Sequence, residues 1–286
     1  MLSAEFDYVR PEGLQEAVQM LAQYGDDGKV LAGGQSLIPL LKLRFATPRV
    51  LIDINRVSGL DHARVEGGHL AIGALTRQAQ LVHSQLVQQH APALAAASPQ
   101  VADPIVRNWG TIGGSLAHAD PAGDAGAVMI AADAQLVALS ARGERAIEAR
   151  EFFAGPFTTT LQPDELLVEI RMPLASGRVF GTYYKLERKV GDFATVGVAV
   201  HLDMDDGICR RAGIGLTAVA ESNVEAREAE AVLAGRRLDE ETIVEAARLA
   251  AAAADPKSDV RGSSEYKRDV VRVYVQRALR QAMARA

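Results

Sequence analysis

The chain has 286 residues, a formal net charge of −5 at pH 7 and 48% hydrophobic residues, which is typical of a folded globular protein. This mildly acidic balance excludes an electrostatic preference for nucleic acid or anionic lipid. The length exceeds what one small core needs, so we expect two domains.

The single cysteine, Cys209, excludes an intrachain disulfide and a thiolate-held metal cluster. It lies in a predicted strand, and we expect it to be buried. The N-terminal segment lacks a basic stretch followed by an apolar run, and no run of about 18 apolar residues occurs. We therefore expect neither a signal peptide nor a membrane span. We expect the protein to be cytoplasmic.

The first part of the chain alternates strands and helices. Continuous apolar runs predict three strands, and apolar residues at helical spacing predict a helix in each interval. The strands are residues 6–11, 29–34 and 49–54, and the helices are 14–24 and 36–44. This order predicts a small parallel α/β part over residues 1–56.

The second part, residues 57–175, has a mixed pattern. A hairpin is predicted around Gly67 and Gly68, and Thr76 is a candidate N-cap for the helix that follows it. Further helices are expected to follow, then a long loop over residues 99–124, and then another helix. Strands are predicted at residues 135–140 and 165–173.

The remaining residues predict three strands followed by three helices. Asp205, Asp206 and Gly207 form the turn between the second and third strands. Proline, serine and glycine cluster at residues 173–178, where we place the domain boundary. The expected domains are residues 1–175 and 176–286, and the fold class is α+β.

Two glycine-containing segments are the main candidates for chemistry. AGGQS occupies residues 32–36 and TIGGS occupies residues 111–115. Glycines let a bound group approach the backbone closely, and successive N–H groups can bind an anion. The two segments could therefore hold the two halves of a pyrophosphate, although either one alone is also typical of an ordinary turn. Neither a G-x-G-x-x-G fingerprint nor a P-loop is present.

Other polar residues allow more than one interpretation. The six histidines show no metal-ligand spacing, and we expect His118, in the second glycine segment, to form local hydrogen bonds. Asp120 and Asp124 flank a Pro-Ala-Gly stretch. Either could cap a helix that starts near residue 122, or supply a carboxylate to a bound ligand.

Four segments stand out when they are taken in chain order: residues 31–44, 101–124, 165–173 and 183–200. Together they resemble one known family, the flavoprotein (medium) subunits of the molybdenum hydroxylases. Within it, the aerobic carbon monoxide dehydrogenases are the most similar. The resemblance implies a PCMH-type (vanillyl-alcohol-oxidase-like) FAD-binding fold of two α/β parts. A C-terminal domain with a three-stranded antiparallel sheet and three helices would follow.

The resemblance also assigns residues to FAD. Asp124 matches a carboxylate that contacts the flavin, Leu167 and Lys185 match positions lining the flavin ring, and Phe193 would shield it. A cation at Lys185 near the N1–C2=O edge would favour reduced flavin. The implied pyrophosphate residues are Ala32, Gly33, Gly34, Gln35 and Ser36 on one side, and Thr111, Ile112, Gly113, Gly114 and Ser115 on the other.

Three positions depart from the family pattern. Gln35 replaces a common histidine, and Ser115 replaces a common asparagine. Both keep a polar side chain, so FAD binding is still expected. Phe193 replaces a tyrosine, so no role for a hydroxyl group can be transferred to this chain.

The implied activity is that of an oxidoreductase subunit that relays electrons. A small partner would carry two [2Fe–2S] clusters, and a large partner would carry the molybdopterin cofactor and the substrate chemistry. Electrons would pass through FAD on this chain to an external acceptor such as a quinone. The resemblance suggests a dimer of heterotrimers, reaching the inner face of the membrane only through its partners.

Three alternatives remain open from the sequence. The first is the same subunit in a molybdenum hydroxylase for xanthine, an aldehyde, a nicotine-like heterocycle or an aromatic acyl-CoA. The second is a stand-alone FAD oxidoreductase, and the third is a non-enzymatic scaffold whose glycine segments bind no cofactor. We expect no catalytic acid or base and no metal ligand on this chain in the relay role.

Overall fold

The computed structural model describes residues 2–284. Its first layer is a three-stranded parallel sheet in the order β1-β3-β2, with two helices in the connections. Its elements are β1 (Asp7–Val9), α1 (Leu14–Tyr24), β2 (Gly28–Leu31), α2 (Leu37–Leu43) and β3 (Val50–Asp53). The central strand β3 is almost fully buried, and α1 packs Ala17, Val18 and Leu21 into the same core. The predicted α/β part is confirmed.

The second layer is a five-stranded antiparallel sheet in the order β4-β5-β10-β6-β7. Its strands are β4 (Ala63–Glu66), β5 (His69–Gly73), β6 (Gln135–Ser140), β7 (Gly143–Glu148) and β10 (Leu166–Pro173), and β8 (Phe153–Gly155) pairs separately with β9 (Thr158–Thr159). Its helices are α3 (Gln78–His83), α4 (Gln85–His90), α5 (Pro92–Ala97), α6 (Pro104–Trp109), α7 (Ile112–His118), α8 (Asp124–Ala131) and α9 (Ala149–Phe152).

The third layer is an antiparallel sheet with helices on one face. The order is β11-β12-β13-β14, and β15 pairs with β13. The strands are β11 (Arg178–Leu186), β12 (Val196–Asp205), β13 (Ile208–Thr217), β14 (Val224–Glu225) and β15 (Arg236–Arg237), and the helices are α10 (Arg227–Leu233), α11 (Glu240–Ala253) and α12 (Ser264–Met283). Cys209 is buried in β13, as expected.

Helix α8 joins the second and third layers, and all eight of its residues are buried. A Cβ atom on Gly213 would lie 1.8 Å from the Ala131 carbonyl oxygen, and one on Gly215 would lie 1.9 Å from that of Ala127. Only glycine lets the helix backbone lie directly on β13 in this way. This close packing brings the N-terminus of α8 to β11.

The α+β fold class is confirmed, and two local predictions are wrong. The segment 99–124 is not one long loop, because it contains α6 and α7. Thr76 does not cap α3: its hydroxyl donates to the His62 carbonyl, and Arg77 occupies the N-cap position. Among residues 2–284, no helix is both long and apolar enough to cross a membrane.

Candidate cofactor site

The two glycine segments meet in the folded chain. The first, residues 32–36, connects β2 to α2, and the second, residues 111–115, forms the N-cap and first turn of α7. A Cβ atom on Gly33 would lie 2.2 Å from the Trp109 carbonyl oxygen and 2.8 Å from the Gly110 Cα atom. The two backbones are therefore in direct contact, although about 80 residues separate them in the chain.

The first segment offers unpaired backbone donors. Within residues 2–284, no hydrogen bond uses the backbone N–H groups of residues 33–36. Gly34 has φ +74°, which turns the chain into α2, and the Gln35 side chain donates back to the Gly33 carbonyl at 3.2 Å. Four consecutive free N–H groups in such a turn can bind an anionic group.

The second segment is different, because its backbone donors are already used. Ile112 donates to the Thr76 carbonyl at 3.1 Å, and Gly113 donates to that of Ala74 at 2.9 Å. Gly114 donates to the Thr111 hydroxyl, which caps α7, at 3.1 Å. The two segments are therefore not equivalent as anion-binding sites. The second one presents an exposed glycine backbone at Gly114 and the partly buried hydroxyl of Ser115.

A second cluster surrounds Asp124, the first residue of α8. One oxygen of its carboxylate accepts from the Tyr183 hydroxyl at 2.6 Å, and the other accepts from the Lys185 ammonium at 3.0 Å. Burial raises the pKa of Asp124, against the opposing effects of Lys185 and Tyr183. Burial also raises the pKa of Tyr183 well above its ordinary value, with a further contribution from Asp124. Gly123, not Asp124, occupies the N-cap position.

Lys185 acts as a bridge in this structure. Its side chain is 1% exposed, and its ammonium also donates to the Gln100 carbonyl at 2.9 Å and lies 3.5 Å from Glu187. Both hydrogen bonds of the ammonium are thus made to groups of the protein itself. Lys185 and Tyr183 come from β11, whereas Asp124 and Gln100 precede residue 175. The cluster therefore ties the two predicted domains together.

The two remaining predicted residues lie in different surroundings. Leu167 is 4% exposed and belongs to the core that contains Ile112 and Leu116. Phe193 is 53% exposed, in the loop between β11 and β12, and its carbonyl accepts from Arg261. In the same loop, Gly191 packs on the Ala102 backbone. Phe193 is thus available to shield a ligand ring, whereas Leu167 is part of the core.

Two other candidate residues lie near this region. The prediction that His118 forms local hydrogen bonds is wrong, because its ring makes none within residues 2–284. His118 lies in the last turn of α7, where burial lowers its pKa and its ring centroid lies 5.2 Å from that of Phe157. Asp120 accepts from the Ala122 N–H at 2.9 Å, which closes a short turn. Neither residue is positioned as a base for a reaction.

Two family models match nearly the whole chain. The FAD binding domain in molybdopterin dehydrogenase matches residues 4–175, and the CO dehydrogenase flavoprotein C-terminal domain matches residues 181–282. The chain belongs to this flavoprotein family. It is an FAD-binding member, and the residues present fit that cofactor. The free N–H groups of residues 33–36 suit a pyrophosphate, and the backbone at Gly114 is exposed.

Members of this flavoprotein family resemble the chain along its full length. The carbon monoxide dehydrogenase medium chain of Hydrogenophaga pseudoflava is 41% identical over 285 residues, covering 100% of this chain and 99% of that protein. Subunit alpha of the 6-hydroxypseudooxynicotine dehydrogenase complex of Paenarthrobacter nicotinovorans is 40% identical, covering 100% and 97%. A solved carbon monoxide dehydrogenase from Hydrogenophaga pseudoflava, lacking the Mo-pyranopterin moiety, matches with TM-score 0.96 and 43% identity over 100% of both chains.

Sequence reasoning missed Tyr183 in the Asp124 cluster. Its hydroxyl holds Asp124 from 59 positions further along the chain. A tyrosine in an apolar strand is usually a core residue, so the pattern alone carried no signal for this contact. The contact is recognisable only once the Tyr183 hydroxyl is known to be buried, because a buried hydroxyl requires a hydrogen-bond partner.

Proposed function

We propose that this chain is the FAD-carrying electron-transfer subunit of an aerobic, molybdenum-containing carbon monoxide dehydrogenase. The observation that carries the proposal is the contact between the two glycine segments, with four free N–H groups at their junction. The full-length similarity to carbon monoxide dehydrogenase medium chains supports this choice of enzyme.

The chain's own residues would hold and orient the cofactor. The N–H groups of residues 33–36 would bind the pyrophosphate, and the Ser115 hydroxyl would add a donor from α7. When bound, FAD supplies the ability to accept and release electrons, which no side chain here can supply. Asp124 would fix the geometry near the flavin rather than move a proton, because both of its oxygens already have partners.

The proposed partners follow from the similarity to subunits of multi-subunit dehydrogenases. One cysteine cannot hold an iron–sulfur cluster, so the clusters would lie on a small iron–sulfur subunit. The molybdopterin cofactor would lie on a large subunit, and the assembly would be a dimer of heterotrimers that delivers electrons to an external acceptor such as a quinone. Residues 1–175 would form the FAD-binding domain, and residues 176–286 would complete the flavin environment.

A second candidate is the same subunit in an enzyme that hydroxylates a nicotine-like heterocycle. The specific observation is the near-equal identity to the 6-hydroxypseudooxynicotine dehydrogenase subunit, 40% against 41% for the carbon monoxide dehydrogenase chain. The electron relay on this chain would be the same in both enzymes. The difference would lie on the large subunit, where the substrate binds.

Two measurements test the proposal in sequence. The full chain is expressed alone and titrated with FAD, then co-expressed with its large and small partner subunits. We expect a flavin absorption spectrum in both preparations, and carbon monoxide oxidation only in the complex. Absence of flavin from both overturns the FAD assignment. A complex that oxidises a hydroxylated heterocycle, but not carbon monoxide, establishes the second candidate instead.

A further inference from the structure

Two backbone carbonyl groups lie at the junction between the glycine segments. The Ala32 carbonyl belongs to the first segment, and the Trp109 carbonyl, on which Gly33 packs, lies two residues before the second. Each accepts a hydrogen bond from a side chain outside both segments. Asn55 Nδ2 donates to Ala32 at 2.6 Å, and Arg77 Nη1 donates to Trp109.

The two side chains are also bonded to each other. Arg77 Nη2 donates to Asn55 Oδ1 at 2.7 Å, so three hydrogen bonds run without a break from the Ala32 carbonyl to the Trp109 carbonyl. The planar guanidinium is suited to this task, because its two Nη groups donate in fixed directions to two acceptors.

The orientation of Asn55 is itself determined. Its backbone N–H and its Nδ2 group both donate to Asp53 Oδ1, at 2.9 Å and 2.7 Å, and the Tyr8 hydroxyl donates to the other Asp53 oxygen. With Nδ2 held between Asp53 and Ala32, the amide oxygen must face Arg77. Free rotation of the amide is thereby excluded, and the link between the segments has a single arrangement.

The same link brings a positive charge to the junction. Neither residues 32–36 nor residues 111–115 contain a charged side chain. Arg77 is partly buried, and its guanidinium carbon lies 6.0 Å from the Trp109 ring centroid. A cation beside free N–H groups favours an anionic ligand more strongly than the N–H groups alone.

We propose that Asn55 and Arg77 are positioning residues of the pyrophosphate site, which hold the two glycine segments in register so that both can contact one ligand. This inference rests on the proposed FAD-binding function. Both residues act through the Ala32 and Trp109 carbonyls. The pair therefore sets affinity for the diphosphate part of FAD, not for its flavin part.

The test uses the full chain freed of flavin and three ligands: FAD, ADP, which has the diphosphate and adenosine but no flavin, and riboflavin, which has the flavin but no phosphate. The variants are Arg77→Lys, Asn55→Ala and the double variant. Arg142→Lys is the matched control, because Arg142 makes a bidentate pair with Asp164 at the surface, away from the junction. Dissociation constants and the thermal midpoint without ligand are measured for each.

We expect each single variant to weaken FAD and ADP binding about tenfold or more, with riboflavin binding unchanged. The double variant should be little weaker than the worse single one, because both changes break the same link. Arg142→Lys should match the wild type. Arg77→Lys keeps the positive charge, so a weaker affinity in this variant would report the loss of the guanidinium's two-acceptor geometry.

Three results would overturn the inference: wild-type ADP affinity in both single variants, an equal loss for riboflavin, or strictly additive losses in the double variant. If Arg77→Lys does not fold, Asn55→Ala decides the question, because it leaves the Arg77–Trp109 bond in place. If the wild-type chain binds these ligands only within its complex, the same variants are measured in the flavin-free complex. A complex that binds neither FAD nor ADP overturns the proposed function as well, so the two failures are distinguishable.

Discussion

Replacing Gly33 with alanine should weaken FAD binding by separating the two glycine segments. The added carbon would lie 2.2 Å from the Trp109 carbonyl oxygen, 2.8 Å from the Gly110 Cα atom and 2.9 Å from the Trp109 carbonyl carbon. Non-bonded heavy atoms attract at about 3.5 Å, so the oxygen contact is more than about 1 Å too short. Because all three neighbours are backbone atoms, the segments themselves must move apart.

The size of the change in FAD affinity follows from the hydrogen bonds that such a movement would break. A displacement of about 1 Å takes at least one N–H group of residues 33–36 out of range of an anionic oxygen. A hydrogen bond to a charged group contributes about 1.5–3 kcal/mol, so the dissociation constant for FAD should rise about 10- to 150-fold. Overpacking should also lower the free energy of unfolding by about 1–3 kcal/mol.

The assay is a fluorescence titration of the flavin-free full chain with FAD, together with urea unfolding. Gly155→Ala is the matched control, because a Cβ atom there has no atom within 4 Å and Gly155 does not have positive φ. The control should bind FAD as the wild type does. A folded Gly33→Ala chain with FAD affinity within about twofold of the wild type would refute the reasoning, since the contact would then not set the site's geometry.

Three further predictions concern buried polar groups. Tyr183→Phe removes the donor to Asp124 and should lower the free energy of unfolding by about 1–3 kcal/mol. Tyr184→Phe loses only a half-buried hydrogen bond of 3.3 Å, so it should lower the free energy of unfolding by less in the same urea titration. Burial raises the pKa of Glu230 to about 7. The contribution of its protonated carboxyl group to the stability of the fold is therefore full below pH 4.5 and is lost as pH rises through 7. Glu230→Gln should be more stable than wild type at pH 8, by up to about 3 kcal/mol, and equally stable at pH 4. Parallel pH curves would contradict this. Burial lowers the pKa of His201 to about 3, and neither ring nitrogen has a hydrogen-bond partner within residues 2–284. Between pH 6.5 and 5, the stability of His201→Leu relative to the wild type should therefore rise by about 2 kcal/mol; a difference that does not change with pH would contradict this.

Local patterns in the sequence were sufficient for most of the secondary structure. The helical spacing of Ala17, Val18 and Leu21 predicted α1, and the apolar run at residues 49–54 predicted the buried strand β3. The turn at residues 205–207 joins β12 and β13, as its composition predicted. These elements follow the sequence because burial of one face imposes a fixed period on the apolar residues.

The second glycine segment shows where local patterns were insufficient. Adjacent glycines disfavour a helix, so residues 111–115 were expected to be a loop. The structure places them in the first turn of α7, where Thr111 caps Gly114 and the Ala74 and Thr76 carbonyls accept from Gly113 and Ile112. Tertiary contacts thus override the low helix propensity of the two glycines. They also use the backbone N–H donors that the sequence had assigned to a ligand.

The sequence by itself determined the element order, the family resemblance and both glycine segments, because each depends on residues that are close together in the chain. Only the tertiary structure decided which segment keeps free donors and which side chains support it. The partners Asn55 and Ala32 are 23 positions apart, and Arg77 and Trp109 are 32 apart. Such pairings depend on how the layers pack, and no periodicity along the chain encodes them.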